Sequence, residues 1–279
     1  MKNKFYLILV VLILQSTLLY SQKIYFKVAS NYHFSTTTQK MPEYFDYTVS
    51  SRMGILPVNI DVGKFSAASG ISFQGCIGHS FSDLLSVELR YSTFSNTKKE
   101  FNASPEQQNS ANGITNWELR QYNLFPTILF GKSFKKTSVN IFIYSGVGLS
   151  KLNINVKVLP TNSIADNYSK YEFSSNNSFS WGYGLEYSYS LGEKMSLFAN
   201  IGVNSSYYKP VKAQLESSST PLEYLTTSQK EINYVDEIKN VELNNNGSNK
   251  PDIPEIRLNE TLKLSSIYLG IGIKYTLKK

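Results

Sequence analysis

The last segment of the chain alternates strictly between apolar residues and other residues. In "IYLGIGIKYTL", from Ile267 to Leu277, the odd positions are apolar, and the even positions are Tyr, Gly, Gly, Lys and Thr. A period of two places successive side chains on opposite faces of a β-strand. The segment is therefore a strand with one apolar face. That face packs into a core in a soluble protein and contacts lipid in a membrane barrel.

Strand patterns recur along the whole chain. Eight segments have this character: 23–34, 69–81, 84–94, 116–131, 138–152, 178–191, 194–208 and 261–277. The connections between them alternate long, short, long, short, long, short, long. An up-and-down antiparallel barrel places every second connection at the same end, and outer-membrane barrels have short periplasmic turns and long outer loops. The spacing therefore predicts an all-β fold, an eight-stranded antiparallel up-and-down transmembrane β-barrel.

In the last four predicted strands, the less apolar face contains small residues and few charges. Among these positions only Glu186 and Lys274 are charged, and Gly and Ser dominate. Small side chains fit the crowded interior of an eight-stranded barrel. The opposite faces carry Val, Ile, Leu and aromatic residues, so we expect the apolar face to point outward. No segment after residue 22 has the pattern of a spanning helix, and a closed barrel is the remaining way to cross a bilayer.

Aromatic residues are abundant and charged residues are few. Aromatic residues make up 14% of the chain and charged residues 18%, against about 25% charged in typical soluble domains. Many aromatic residues lie near predicted strand ends, which indicates a girdle at each membrane interface; general strand propensity is the alternative. The members are Tyr187, Tyr189 and Tyr275 at the short-turn end, and Trp117, Phe179, Trp181, Tyr183 and Tyr207 at the long-loop end.

The beginning of the chain has the layout of a secretory signal peptide. Lys2 and Lys4 precede the apolar run 5–14, and Ser21 is a small residue at the expected cleavage point. The alternative is a membrane anchor, but a spanning helix needs about 20 apolar residues. We expect residues 1–21 to be removed and residues 22–279 to form one barrel domain. The net charge of +7 is spread along the chain and gives no sign of a nucleic-acid partner.

Several segments resemble a known family. They are "LLYSQ", "SVELRYSTF", "LRQYNLFPTILFG" and the final "IYLGIGIKYTLKK". Across residues 23–279 the chain resembles small outer-membrane β-barrels of the OmpA/OmpX-like and opacity type, and most of all the PorT-like members found beside a protein-secretion and gliding apparatus. One departure is the ending on Lys278 and Lys279, where many relatives finish on an aromatic residue.

This resemblance implies a location in the outer membrane, contact with outer-membrane lipids and insertion by the barrel-assembly machinery. It implies a non-enzymatic structural or interaction component of the cell envelope. Support of protein secretion is one role within the family, with secretion-apparatus or surface proteins as partners.

Charged residues on the predicted strands are candidates for the barrel interior. A buried charge has to be paired with an opposite charge, so we expect an ion-pair network that plugs the lumen. The plug could be purely structural, or it could act as a gate in a narrow pore. The expected members are Lys27, Glu88, Arg90, Glu118, Arg120, Glu186 and Lys274.

Other chemistry has little support in the sequence. His33, Ser35 and Asp46 could form a catalytic set at the outer rim, as in barrel enzymes that modify lipid A, but no local motif accompanies them. We therefore expect no catalytic residues, and the sequence contains no cofactor or zinc fingerprint. A soluble secreted lipocalin-like barrel that carries a ligand in its lumen remains the alternative from another class.

The long segment 209–260 is acidic and contains a helix signal. "SQKE", from Ser228 to Glu231, resembles a capping box. The spacing of Ile232, Val235, Ile238 and Val241 predicts a short amphipathic helix after it. The segment is expected to be either a mobile, solvated loop or a contact surface for a partner.

Overall fold

The computed structural model describes residues 23–37, 50–51, 54–55, 67–96, 99–103, 112–159, 167–175, 178–237, 252–259 and 261–277. The predicted signal peptide, Asp46 and Ile238 to Val241 lie outside these residues. The strands are β1 Lys23–Ser35, β2 Ser50–Ser51, β3 Gly54–Ile55, β4 Gly70–Ser80, β5 Leu85–Asn96, β6 Lys99–Ala103, β7 Asn112–Ser133, β8 Thr137–Leu159, β9 Asn167–Ser175, β10 Ser178–Ser190, β11 Met195–Tyr208, β12 Pro210–Ser218, β13 Glu231–Val235, β14 Glu255–Leu258 and β15 Leu262–Thr276. A 3₁₀ turn, Leu222–Tyr224, and a helix α1, Thr227–Lys230, lie between β12 and β13.

Eight of these strands form a closed antiparallel barrel. The order around the barrel is β1, β4, β5, β7, β8, β10, β11 and β15, and β15 pairs back with β1. Lys27 faces Cys76 of β4 on one side and Lys274 of β15 on the other. Closure leaves no open strand edge in the barrel wall. A bilayer requires this, because its hydrocarbon core offers no hydrogen-bond partner to an open edge. The structure confirms the predicted eight-stranded up-and-down barrel.

The short connections lie at one end of the barrel. Residues 81–84, 134–136 and 191–194 link β4 to β5, β7 to β8 and β10 to β11. The start of β1 and the end of β15 meet at the same end, where the Leu277 amide donates to the Ile24 carbonyl at 2.8 Å. The long connections are at the opposite end, in agreement with the alternation of lengths in the sequence.

The barrel wall is apolar outside and polar inside. Ile271 is 71% exposed and Phe73 is 63% exposed on the outer surface, whereas Asn31, Ser180 and Asn200 are buried inside. A soluble lipocalin-like barrel would have the reverse arrangement. The predicted girdle tyrosines, together with Phe179 and Trp181, also point outward. An exterior of this kind is stable only against hydrocarbon.

Two interior glycines make room for aromatic rings. A Cβ atom at Gly202 would lie 2.6 Å from the ring of Tyr268, and one at Gly184 would lie 2.5 Å from the ring of Phe142. Both distances are far below van der Waals contact. Glycine at these positions therefore allows large rings to fill the lumen against the facing strands.

The sheet of the barrel continues beyond the barrel wall on the long-loop side. β7 and β8 continue past the barrel wall, β6 pairs with β7, and β8 continues the sheet through β9, β12, β13 and β14. We call this part of the sheet the extension. No helix in the described part of the chain is long and apolar enough to cross a membrane.

The helix predicted after the capping box is wrong. The box forms earlier in the chain than expected, with the Thr226 amide donating to Gln229 Oε1 at 2.9 Å. α1 ends at Lys230, and residues 231–235 form β13, which pairs with β12. The pairing buries Ile232 and Tyr234 under the sheet, and this tertiary burial outweighs the weak helical spacing.

Candidate functional site in the barrel lumen

Four charged side chains meet in the middle of the lumen. The Lys27 ammonium contacts Glu88 Oε1 at 2.6 Å, and it donates to both Glu186 carboxylate oxygens at 2.6 and 2.7 Å. Arg90 Nε donates to Glu88 Oε2 at 2.6 Å. The residues come from β1, β5 and β10, so these contacts bridge the lumen. We call Lys27, Glu88, Arg90 and Glu186 the lumen network.

The lumen network is buried and electrically balanced. All four side chains are at most 4% exposed. Aromatic rings fill the space beside the cations: the Arg90 guanidinium lies 4.6 Å from the Phe142 ring centre, and Lys27 Nζ lies 5.2 Å from that of Phe198. Two carboxylates against two cations satisfy the requirement that buried charges be paired. Breaking one pair would leave an uncompensated charge in a low-dielectric space.

Three of the seven residues expected in the network lie outside it. Lys274 is close, with Nζ 3.9 Å from the centre of the Tyr25 ring. Glu118 and Arg120 were expected inside the barrel, and this is wrong. They pair with each other at 2.8 Å on the outward face of β7, where the Arg120 side chain is 53% exposed. Leu119 and Gln121 are the inward residues there, so the alternation of β7 turns its acid and base outward.

Sequence reasoning missed Tyr25 as a member of the site. Its hydroxyl donates to Glu88 Oε1 at 2.9 Å, and its ring lies under Lys274. Tyr25 and Lys27 are two residues apart on β1, so they share a face. That shared face was the available signal, because any residue at this spacing from Lys27 has to point into the lumen.

A small polar chamber lies between the lumen network and the outer mouth. Its water-accessible volume is about 40 Å³, which is room for about three water molecules. Asn31 Oδ1 and Asn123 Oδ1 are buried here and have no hydrogen-bond partner among the described residues. Such acceptors are normally satisfied by ordered water. The geometry therefore fits a hydrated chamber.

An apolar cluster covers the chamber on the extension side. Phe94, Leu152 and Phe173 are among its members, and they are buried where the extension meets the barrel mouth. We call this group the mouth cluster. Its full membership is Ala67, Ala68, Phe94, Leu119, Leu152, Ile154, Phe173, Tyr208, Ala213, Ile232, Tyr234, Leu262 and Leu264. The lumen is thus closed by charges in the middle and by apolar side chains at the mouth.

His33 lies inside the chamber wall, below the outer rim. Its Nε2 is 2.9 Å from Ser72 Oγ and its Nδ1 is 3.0 Å from Ser266 Oγ. Ser35, which was considered as its catalytic partner, instead donates to the Thr37 carbonyl at 2.8 Å. Two serine hydroxyls hold the imidazole, and no carboxylate of the described ranges forms a hydrogen bond with it. Within those same ranges, no group of three or more His, Cys, Asp or Glu side chains could hold a metal ion.

Comparisons with known proteins identify structural neighbours only. No family model and no curated protein matches the sequence. Neisserial surface protein A superimposes with a TM-score of 0.36 at 13% identity, covering 91% of this chain and 96% of that one. A major outer membrane protein of Thermus thermophilus gives 0.42 at 12% identity, covering 91% and 99%. Ail, the attachment invasion locus protein of Yersinia pestis, gives 0.34 at 10% identity, covering 92% and 97%.

These TM-scores lie below 0.5, so the fold assignment rests on the chain's own strand pairing. A closed antiparallel wall, an apolar exterior and a polar, filled interior are the features of an outer-membrane barrel. The protein is a small β-barrel of the outer membrane.

Proposed function

We propose that this protein is a non-enzymatic structural and interaction component of the cell envelope. The barrel anchors the chain in the outer membrane, and the extension presents a folded surface to partners on the outer side. The single observation that carries this proposal is the double closure of the lumen. In the described part of the chain, the charge network fills the middle of the lumen and the mouth cluster fills its outer end, which favours a role at the surface over the passage of solutes.

The outward face of the extension supports the second part of the proposal. It carries ion pairs at intervals: Glu118 with Arg120, Lys151 with Glu172, Lys170 with Glu216, and Lys212 with Glu231. Exposed ion pairs contribute less than about 1 kcal/mol each. They do indicate a face that is in water, and a regular charge pattern on a rigid sheet can select a partner of complementary pattern.

Support of protein secretion is the finer form of the proposal. It rests on the resemblance of "SVELRYSTF", "LRQYNLFPTILFG" and the last strand to PorT-like barrels. In this role the extension would contact secretion-apparatus or surface proteins. The arrangement of anchor and platform is compatible with such a role, since neither part requires catalysis.

A deletion strain tests the proposal directly. We expect loss of the gene to reduce the amount of protein released into the medium. Both the wild-type chain and His33→Ala should restore the release, because no imidazole chemistry is needed. Heat-modifiable gel migration verifies that each barrel is folded in the membrane. Unchanged release in the deletion strain would contradict the secretion role. A folded His33→Ala barrel that fails to restore release would contradict the non-enzymatic assignment.

A further inference from the structure

The polar chamber has a cation in its wall and no carboxylate. Among the Asp, Glu, Lys and Arg side chains of the described residues, only Arg90 lines the chamber. Arg90 belongs to the lumen network, but it donates there only through Nε, to Glu88. A guanidinium has five N–H donors. The four Nη hydrogens thus have no acceptor within the described part of the chain, although the residue is only 3% exposed.

Neutral hydrogen-bonding side chains lie next to Arg90 on the side of the mouth. Gln74, Ser92 and Asn123 are paired in register across β4, β5 and β7. Ser92 is two residues after Arg90, so both point inward and Ser92 is nearer the mouth. All three side chains line the chamber, and none forms a hydrogen bond with another described residue. They add amide and hydroxyl donors to those of Arg90.

Two asparagines of the chamber wall turn their oxygens away from its centre. Asn123 Oδ1 occupies the space that a side chain at Gly148 would need, so this oxygen is packed against the backbone of β8. Asn31 Oδ1 is packed in the same way against Gly270 of β15. Both oxygens belong to the wall, and the Asn123 amide hydrogens remain for an acceptor inside the chamber.

The charges inside the barrel do not sum to zero. The lumen network is neutral, but Lys274 also points inward, and its ammonium rests on the Tyr25 ring without an ion pair among the described residues. Apart from exposed residues at the two ends, the described inward-facing charges are therefore three cations, Lys27, Arg90 and Lys274, and two carboxylates, Glu88 and Glu186. An excess charge is costly in a low-dielectric interior. One bound negative charge would make this interior neutral.

We propose that the chamber holds one small inorganic anion, of the size of chloride or bromide, as a structural part of the folded barrel. The Arg90 Nη groups donate to the anion, and Ser92 and Asn123 donate from the wall. The volume sets the size class. A space of about 40 Å³ for water accepts a halide ion with a water molecule, whereas an organic acid such as gluconate is too large.

A smaller void on the other side of Arg90 provides an internal comparison. Its water-accessible volume is about 10 Å³, and its lining includes Glu186 and Lys27. This is room for one water molecule at most, and the carboxylate repels an anion. We therefore expect the anion in the chamber and not in this void.

The proposal is tested on the full mature barrel, refolded in detergent with either sodium bromide or sodium gluconate at equal ionic strength. Refolding supplies the anion before the mouth cluster closes the chamber. Anomalous diffraction from crystals of the bromide sample locates the bromide ions. The dependence of the unfolding midpoint on bromide concentration gives the affinity, because a ligand of the folded state raises the midpoint.

Three variants separate the chamber from the rest of the lumen. Ser92→Ala removes one donor of the chamber wall. Ser180→Ala is its matched control, because Ser180 is a buried lumen serine without a hydrogen-bond partner in the described part of the chain, and it does not line the chamber. Ser92→Asp places a carboxylate beside Arg90, where it replaces the anion. Heat-modifiable migration verifies that each variant is folded.

We expect one bromide ion in the chamber and a higher unfolding midpoint in bromide than in gluconate. Ser92→Ala should weaken bromide binding about tenfold, which is the usual effect of losing a hydrogen bond to a charged group, while Ser180→Ala binds as the wild type does. Ser92→Asp should show neither the bromide ion nor the bromide effect.

Three results would overturn the proposal. They are bromide at the surface but not in the chamber, equal midpoints in the two salts, and equal bromide affinities of the two alanine variants. If Ser92→Asp does not fold, the two alanine variants still decide the question. The anion site does not depend on the secretion role, so failure of either leaves the other standing.

Discussion

A glutamate followed two residues later by an arginine occurs on two strands of this chain, with different consequences. Glu88 and Arg90 on β5 point inward and join the lumen network, whereas Glu118 and Arg120 on β7 point outward and are accessible to solvent. The residue types and the separation are identical. Only the face of the strand differs: one pair is on the face opposite the apolar residues, and the other is on the same face as they are. The face decides whether the carboxylate is needed for the fold or is a surface group with a small effect on stability.

Glu88→Ala should destabilise the barrel strongly. The substitution leaves Arg90 without its carboxylate and Lys27 with Glu186 alone. Removing one partner of a buried pair costs about 3–5 kcal/mol, and we expect the free energy of unfolding in lipid vesicles to fall by about that amount. Glu118→Ala is the matched control, with an expected change below about 1 kcal/mol.

Equal effects of the two substitutions would contradict the assignment of the network. Planar bilayer recordings add a second check. The wild-type barrel should not conduct, and porin-like conductance would show that the charges do not plug the lumen.

Part of the residue-scale arrangement could be predicted from the sequence. Lys27, Glu88, Arg90 and Glu186 were expected inside because each belongs to the polar face of its strand. Glu118 and Arg120 were misplaced because they were compared with the similar pair on β5. Their own strand carries the outward residues Tyr122, Leu124 and Ile128 at the same parity, and that comparison would have placed them correctly.

At the scale of the elements, the barrel strands were predictable and the extension was not. Each barrel strand has several alternating apolar residues, because lipid on the outside imposes a long, uniform pattern. The strands of the extension bury only a few residues each, such as Phe173 on β9 and Ala213 on β12. A polar segment with only two or three apolar positions cannot be distinguished from a loop by its sequence pattern. The structure arises there from pairing between distant segments.

The pairing of β9 with β12 should weaken in acid. Lys170 donates a hydrogen bond to Glu216 and holds the pKa of that carboxyl below its ordinary value of 4.5. A carboxyl whose pKa is lower in the folded state than in the unfolded state stabilises the fold at pH values above its unfolded-state pKa. This contribution is lost as the pH falls through its folded-state pKa. We expect faster amide exchange of β9 and β12, relative to β10 and β11, once the pH falls below 4.5.

Glu216→Gln provides the control for this effect. The amide cannot titrate, so the variant should exchange at one level across the same pH range after correction for intrinsic rates. A variant that keeps the wild-type pH dependence would show that another group is responsible.

At the scale of the whole molecule, the stability of the barrel in a membrane depends on the apolar faces of its strands pointing outward. Ile271→Arg places a charge on the most exposed part of the lipid-facing wall. At the bilayer midplane such a change costs about 2–4 kcal/mol. Leu258→Arg is the control, since Leu258 is an exposed apolar residue of the extension and a water-facing change should stay within about 0.5 kcal/mol. Unfolding in vesicles measures both, and similar values would contradict the membrane orientation.

The lumen network also bears on how the barrel assembles. Lys27 is on the first strand, Glu88 and Arg90 are on the third barrel strand, and Glu186 is on the sixth. Until the sixth strand docks, the early strands carry two cations against one carboxylate in an environment that does not tolerate a net charge. A partly inserted sheet is therefore expected to be an unstable intermediate, and insertion should be cooperative, because the four charges of the lumen network balance only once the sixth strand has docked.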